Sequence, residues 1–240
     1  MADDKVVSAW NPLDDLGISQ QELHKTIVEE FEQHEGERLP EPRSTFYGCG
    51  VYGLYYYGEY EHYEPVSNDD GEYDLPIYIG KAVPKGSRTG GAHLESSTGK
   101  KLYERIREHY RSIDDTETLD ISNFRVKYLI TSSIWIRYCE QTLISYYMPW
   151  WNKYIDGFGD HDPGKGRANQ ERSVWDVLHP GRGWVEKRDL PHRDSEPNTW
   201  EEEIASKIET DWSREKVRTF RHVKKEQKKE EPAKNLSDCS

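Results

Sequence analysis

Three segments of helical period and three β-like runs account for most of the hydrophobic pattern. Leu23, Ile27 and Phe31 recur at four-residue steps in "SQQELHKTIVEEFEQH" (19–34), and Ser19 with Glu22 has the spacing of a capping box. An amphipathic helix is predicted there, ended by Gly36 and the "LPEP" that follows. "GVYGLYYYG" (50–58) and "LPIYIGKA" (75–82) are rich in β-branched, aromatic and aliphatic residues and read as strands. The acidic insert between them, which contains Asp-Asp-Gly, reads as an extended hairpin loop. After a Gly/Ser-rich loop (84–101), Leu102, Ile106 and Ile113 fall at helical spacing, and "FRVKYLITSS" (124–133) supplies a third strand. A last helix begins at 133 and is stopped by Pro149. The order β-β-α-β-α predicts an α+β fold with a small, mostly antiparallel three-stranded sheet flanked by helices.

One position breaks this pattern. Ile136, Leu143, Ile144 and Tyr147 make an apolar stripe on the last helix, and Glu140 lies in the middle of it. An unpaired carboxylate there carries a large desolvation penalty. Either a core Arg or Lys pairs with it, or it is a metal ligand. Mg²⁺ is often held by one protein carboxylate, with water and substrate phosphate filling the other positions. No second carboxylate stands at matched helical spacing, so a single-carboxylate site is the coherent version of the metal reading.

Charge sharpens the picture because it is segregated. The 240-residue chain has a net charge of −12. Residues 1–45 carry eleven acids and four bases, and residues 58–74 carry seven acids and no Lys or Arg. Residues 81–110 carry seven bases against three acids, and residues 214–229 eight against two. An acidic protein so divided can still bind a polyanion through one face, although any single run reads first as solvated surface. The three cysteines are far apart and without CxxC spacing, which argues against a disulfide scaffold and a zinc finger. No HExxH or paired Cys/His spacing offers a ready-made metal cage. With no 18-residue apolar run and no signal-peptide pattern, a soluble cytoplasmic protein without a membrane partner is expected.

Several residues then stand out as chemical candidates. Tyr52 and Tyr78 lie on the first two strands, each beside a glycine, although tyrosine is common in strands and in this chain. Arg105 and His109 are one helical turn apart at the margin of an apolar stripe, where a guanidinium fork and an imidazole suit phosphate. "GDHDPGK" (159–165) has the spacing of a phosphate-binding loop, but Gly166 replaces the Mg²⁺-binding hydroxyl and no strand leads into it. A nucleotide hydrolase is therefore not expected. Further on come a polar loop, an aromatic turn region "VWDVLHPGRGWVEK", a charged helix from about 198 to 229 and a disordered tail.

In order along the chain, "GVY", "YIGK", an Arg with a His one turn on, a helical Glu and "PWWN" resemble the signatures of the GIY-YIG nuclease superfamily. "LPIYIGKAVP", "RIREH", "DGFGDHDPGKGR" and "WDVLHPGRGWVEK" resemble more narrowly its type II restriction endonucleases that cut CCGCGG. Two departures are visible: Val51 replaces Ile, and Tyr52 and Tyr78 are 26 positions apart, wider than is typical of the superfamily. The resemblance runs from about Arg43 to Lys187 and implies 46–190 as the GIY-YIG nuclease domain, while charge and hydrophobic pattern set off 1–45 as an acidic N-terminal arm and 191–240 as a charged C-terminal helix and tail. It implies cleavage of double-stranded DNA by a homodimer, with a cognate DNA methyltransferase as companion. Glu140 would hold one divalent cation, Mg²⁺, and Tyr52 would be the general base or would orient the water. Lys81 and the metal would help Tyr52 ionise, and Tyr78 would hydrogen-bond in the same cluster. Arg105 and His109 would face the phosphate, and Asn152 would orient it or anchor the site. The rivals are a GIY-YIG repair or mobile-element nuclease and an inactive DNA-binding relative.

Overall fold

The computed structural model of the chain describes residues 12–15, 17–39, 46–84, 99–160, 162 and 170–191, with 202 and 206 as isolated positions. Its elements are α1 (Pro12–Asp15), α2 (Gln20–Gln33), β1 (Glu37–Arg38), β2 (Gly50–Tyr56), β3 (Pro76–Ala82), α3 (Lys101–Asp114), β4 (Phe124–Ile130), α4 (Ser133–Tyr147), α5 (Trp150–Lys153), α6 (Val174–Leu178) and α7 (Gly183–Arg188). Apart from 202 and 206, the charged helix expected over 198–229 lies outside the described residues, as do the tail and most of the 84–101 loop.

β2 is the spine of the sheet. All seven of its residues are buried, because both of its faces are covered. It pairs antiparallel with β3 on one side and β4 on the other, so that Tyr52 stands opposite Gly80 and Tyr128. β1 adds to the far side of β4, pairing Glu37 with Val126 and Arg38 with Arg125. The sheet therefore has four antiparallel strands in the order β1-β4-β2-β3, not the three expected. A two-residue strand reading Glu-Arg has no hydrophobic period to reveal it; only the ladder to β4 makes it a strand.

Alternating residues of β2 feed two apolar layers. Tyr52, Leu54 and Tyr56 join Leu102, Ile106 and Ile113 of α3, Trp150 and Trp151 of α5, and Trp175 of α6. Val51 and Tyr55 join Ile27, Val28 and Phe31 of α2 and Ile136, Cys139, Leu143 and Tyr147 of α4. α2 starts at the anticipated capping box, in which the Glu22 amide donates to Ser19 Oγ at 3.1 Å and the Ser19 amide donates to Glu22 Oε2 at 3.0 Å. Its far end is fastened by the Tyr147 hydroxyl, which donates to Glu32 Oε1 at 2.9 Å. α2 is thus part of the packed fold rather than an appendage lying over it.

The acidic insert is not simply an extended hairpin loop. Glu61–Val66 form a 3₁₀ helix that drops Tyr63 and Val66 into the core. Asn68 closes its base: its amide donates to the Tyr56 and Leu75 carbonyls, and its Oδ1 accepts from the Asp74 and Leu75 amides. No helix among the described residues is long and apolar enough to cross a membrane.

Candidate active site

β3 is an edge strand, and α3, α4 and α5 all pack against it. Side chains from both layers therefore converge around one edge of the sheet. On the α3 side, Tyr52 Oη lies 2.6 Å from His109 Nε2. Tyr78 completes an aromatic triangle, its ring centroid 6.2 Å from that of Tyr52 and 5.2 Å from that of His109. This close meeting depends on Gly80, which faces Tyr52 across the ladder: a Cβ there would collide with the Tyr52 hydroxyl and lie 2.9 Å from the Tyr78 ring.

Arg105, one turn before His109, is a second arm of the cluster. It donates through Nη2 to the Gly159 carbonyl at 2.6 Å and through Nη1 to Glu108 at 2.9 Å. Its charge acts on both tyrosines. Burial pushes the Tyr52 hydroxyl well above the ordinary tyrosine range, Tyr78 adds to that, Arg105 opposes it and Glu140 reinforces it. Tyr78 is raised in the same way, chiefly by burial, against Arg105. Both are neutral phenols at rest. Arg105 is the cation nearest in effect to Tyr52, and Lys81 is paired with Glu140.

Lys81 is paired with Glu140, donating from Nζ to Oε2. Glu140 does not sit in the middle of the buried stripe of α4. That stripe is Ile136, Cys139, Leu143 and Tyr147, and the Glu140 side chain stays 15% exposed on its flank. Cys139 is buried and Ile144 only partly so, which leaves Glu140 beside the stripe and within reach of Lys81 on β3. The carboxylate remains close enough to the tyrosines to raise both of their hydroxyls electrostatically.

Asn152 of α5 reaches the same strand from another side. Its Oδ1 accepts from the Ile79 amide and its Nδ2 donates to the Ile79 carbonyl, both at 2.8 Å. Of the seven expected residues, Tyr52, Tyr78, Arg105 and His109 thus form one cluster, Lys81 and Glu140 form an adjoining ion pair, and Asn152 anchors the strand between them.

Phe158 and Gly159 were not anticipated. The Phe158 ring stacks on His109 at 4.4 Å between centroids, inclined by 20°, and Gly159 supplies the carbonyl that holds Arg105. The only trace in the sequence is an aromatic flanked by glycines in an otherwise polar run, "DGFGDH". Among the described residues no group of three or more His, Cys, Asp or Glu side chains is arranged to hold a metal. A cation at this edge would have a single protein carboxylate, Glu140. Lys81 engages its Oε2, and a lone carboxylate fits a hard cation that keeps most of its water.

Two tyrosines on paired antiparallel strands, an Arg–His pair on one helix and a carboxylate on the next are the arrangement that the resemblance to GIY-YIG nucleases implies. Residues 44–210 match the family described as the Eco29kI GIY-YIG domain, and the chain belongs to that family. Eco29kI is a type II restriction enzyme recognising CCGCGG, and membership makes this chain a restriction endonuclease that hydrolyses DNA at specific sites. GIY-YIG nucleases generally depend on a divalent metal. No curated protein matches the chain.

Proposed function

We propose that the chain is a Mg²⁺-dependent endonuclease that cuts both strands of a short palindrome, CCGCGG, as a cytoplasmic homodimer, with a methyltransferase of the same specificity protecting the host. A two-fold target calls for a two-fold protein with one active centre per strand. Residues 46–190 are the catalytic unit, and residues 1–45 and 191–240 flank it.

The observation that carries the mechanism is the 2.6 Å contact between Tyr52 and His109. Burial disfavours a standing tyrosinate, so Tyr52 works as a relay. Its oxygen orients the attacking water and takes a proton from it as its own proton passes to His109 Nε2; the hydroxide then displaces the 3′ oxygen from phosphorus. Tyr78 keeps the Tyr52 hydroxyl in line. Arg105 opposes the negative charge that develops on the phosphate. Glu140 would hold Mg²⁺, which when bound supplies positive charge at the phosphate and the leaving oxygen. Lys81 orients the Glu140 carboxylate through their ion pair, and Asn152 fixes the strand that presents Tyr78 and Lys81.

Glu140→Gln tests this reading. The amide is isosteric but a poor ligand for a hard cation, so Mg²⁺-dependent cleavage of plasmid DNA should fall by about 100-fold or more, with duplex binding retained. Cleavage at the wild-type rate would remove Glu140 from the mechanism.

A further inference from the structure

Arg182 is 1% exposed and lies outside the residues that meet at Tyr52. Its Nε is 3.1 Å from Asp176 Oδ1, its Nη1 donates to the Gly157 carbonyl at 3.1 Å, and its guanidinium lies 4.2 Å from the centroid of the Trp175 ring. Asp176 in turn accepts from the Ser173 hydroxyl at 2.6 Å. Buried ion pairs of this kind are poor sources of stability, since well-packed apolar residues often serve as well. Something other than stability has to explain a guanidinium at this point in the fold.

The place where Arg182 binds suggests what that is. Gly157 has φ +100° and is pressed against the Ser173 side chain, so the chain turns sharply there. One residue later the Phe158 ring stacks on His109 and meets Tyr78 edge-on at 4.9 Å. One residue after that, the Gly159 carbonyl holds Arg105. The guanidinium of Arg182 also lies 6.0 Å from the Phe158 ring. One three-residue turn is therefore tethered to Arg182 at its start and supports both His109 and Arg105 at its end.

The geometry points to Arg182 as a positioning residue for hydrolysis: its bond to Gly157 sets the turn that holds His109 against Tyr52 and Arg105 beside the two tyrosines. This inference rests on the catalytic assignment of Tyr52, His109 and Arg105. Arg182 touches none of the reacting atoms, so its loss should lower turnover and leave DNA binding alone.

The test replaces both members of the ion pair, Arg182→Met with Asp176→Asn, which cuts the tether without stranding a buried charge. In folded protein, single-turnover cleavage of a plasmid that the wild type cuts with Mg²⁺ should slow roughly 10- to 100-fold, at an unchanged dissociation constant measured without metal. In a His109→Ala background the same exchange should cost less than about 3-fold, because one of the groups it positions is already gone. Wild-type rates in the folded double variant, or equal slowing in both backgrounds, would overturn the inference. His109→Ala cutting as fast as wild type would instead overturn the catalytic assignment, which keeps the two failures apart. Should the pair exchange not fold, Phe158→Leu reads the same linkage without touching the ion pair. Slower turnover at unchanged affinity supports the linkage, and an unchanged rate overturns it.

Discussion

Tyr52 reaches His109 because the residue opposite it on β3 has no side chain. The ring is fully buried, so a methyl group at position 80 cannot be met by swinging Tyr52 into solvent. Either the hydroxyl leaves His109 or β3 moves outward, and both open the proton relay. Gly80→Ala is therefore expected to slow DNA cleavage at least about 10-fold while destabilising the fold by only about 1–3 kcal/mol, the usual range for overpacking. Urea unfolding beside single-turnover rates separates the two effects; a variant that loses stability but cuts normally would break the link between Gly80 and the relay. The neighbouring ion pair is a different kind of residue-level device. Lys81 and Glu140 come from different elements, β3 and α4, and pair at the strand edge. Their pairing explains how a carboxylate is tolerated beside an apolar stripe before any cation arrives.

At the scale of elements, the site is a solution to the problem of an edge strand. Among the described residues β3 pairs only with β2, which leaves the backbone groups on its outer side to be satisfied by something else. At Ile79 the Asn152 carboxamide donates and accepts like the next strand of a sheet, and this fixes α5 to the edge. Asn152→Ala strands a donor and an acceptor and should cost about 1–3 kcal/mol for each group left unsatisfied, with cleavage falling further than DNA binding. Equal stability and activity in the variant, measured by urea unfolding and plasmid cleavage, would reduce the clamp to a bystander. This is also where the sequence was most and least legible. β2, β3, β4, α2, α3 and α4 follow from hydrophobic period, and the capping box fixes the start of α2, because each buries its own apolar face. β1 and the 3₁₀ helix of the insert do not follow: the first exists through a ladder formed with distant residues, and the second through Asn68 bonding to both ends of the insert. Tyr52, Tyr78, Arg105 and His109 stand out in the sequence and lie together in the fold, whereas Phe158 and Arg182 join them through tertiary contacts that leave no local period.

Across the whole molecule, charge and burial divide the surface from a single interior hub. The acidic insert lines an open cleft with Glu59, Glu61, Glu64 and Asp69, a concentration of negative charge that disfavours a polyanion. Beneath it, three distant segments meet at His179, whose Nε2 bonds the Tyr63 hydroxyl of the insert and whose Nδ1 lies 2.7 Å from Thr118 Oγ1. His179 is wholly buried, and burial, with smaller contributions from Arg182 and His62, drives its pKa from 6.5 down to about 3. The folded protein thus holds the ring neutral where an unfolded chain would protonate it. Its contribution is complete above pH 6.5 and is lost as the pH falls toward 3, by roughly 1.4 kcal/mol per pH unit in between. Urea unfolding at a series of pH values should show wild-type stability falling through this window, with His179→Gln flattening the slope by about that amount. Taking the difference between the two proteins cancels the carboxylates that titrate in the same range, including Asp176. Parallel pH dependence in wild type and His179→Gln would mean that the ring carries none of the acid lability, and that the hub joining the insert to the site is held by packing alone.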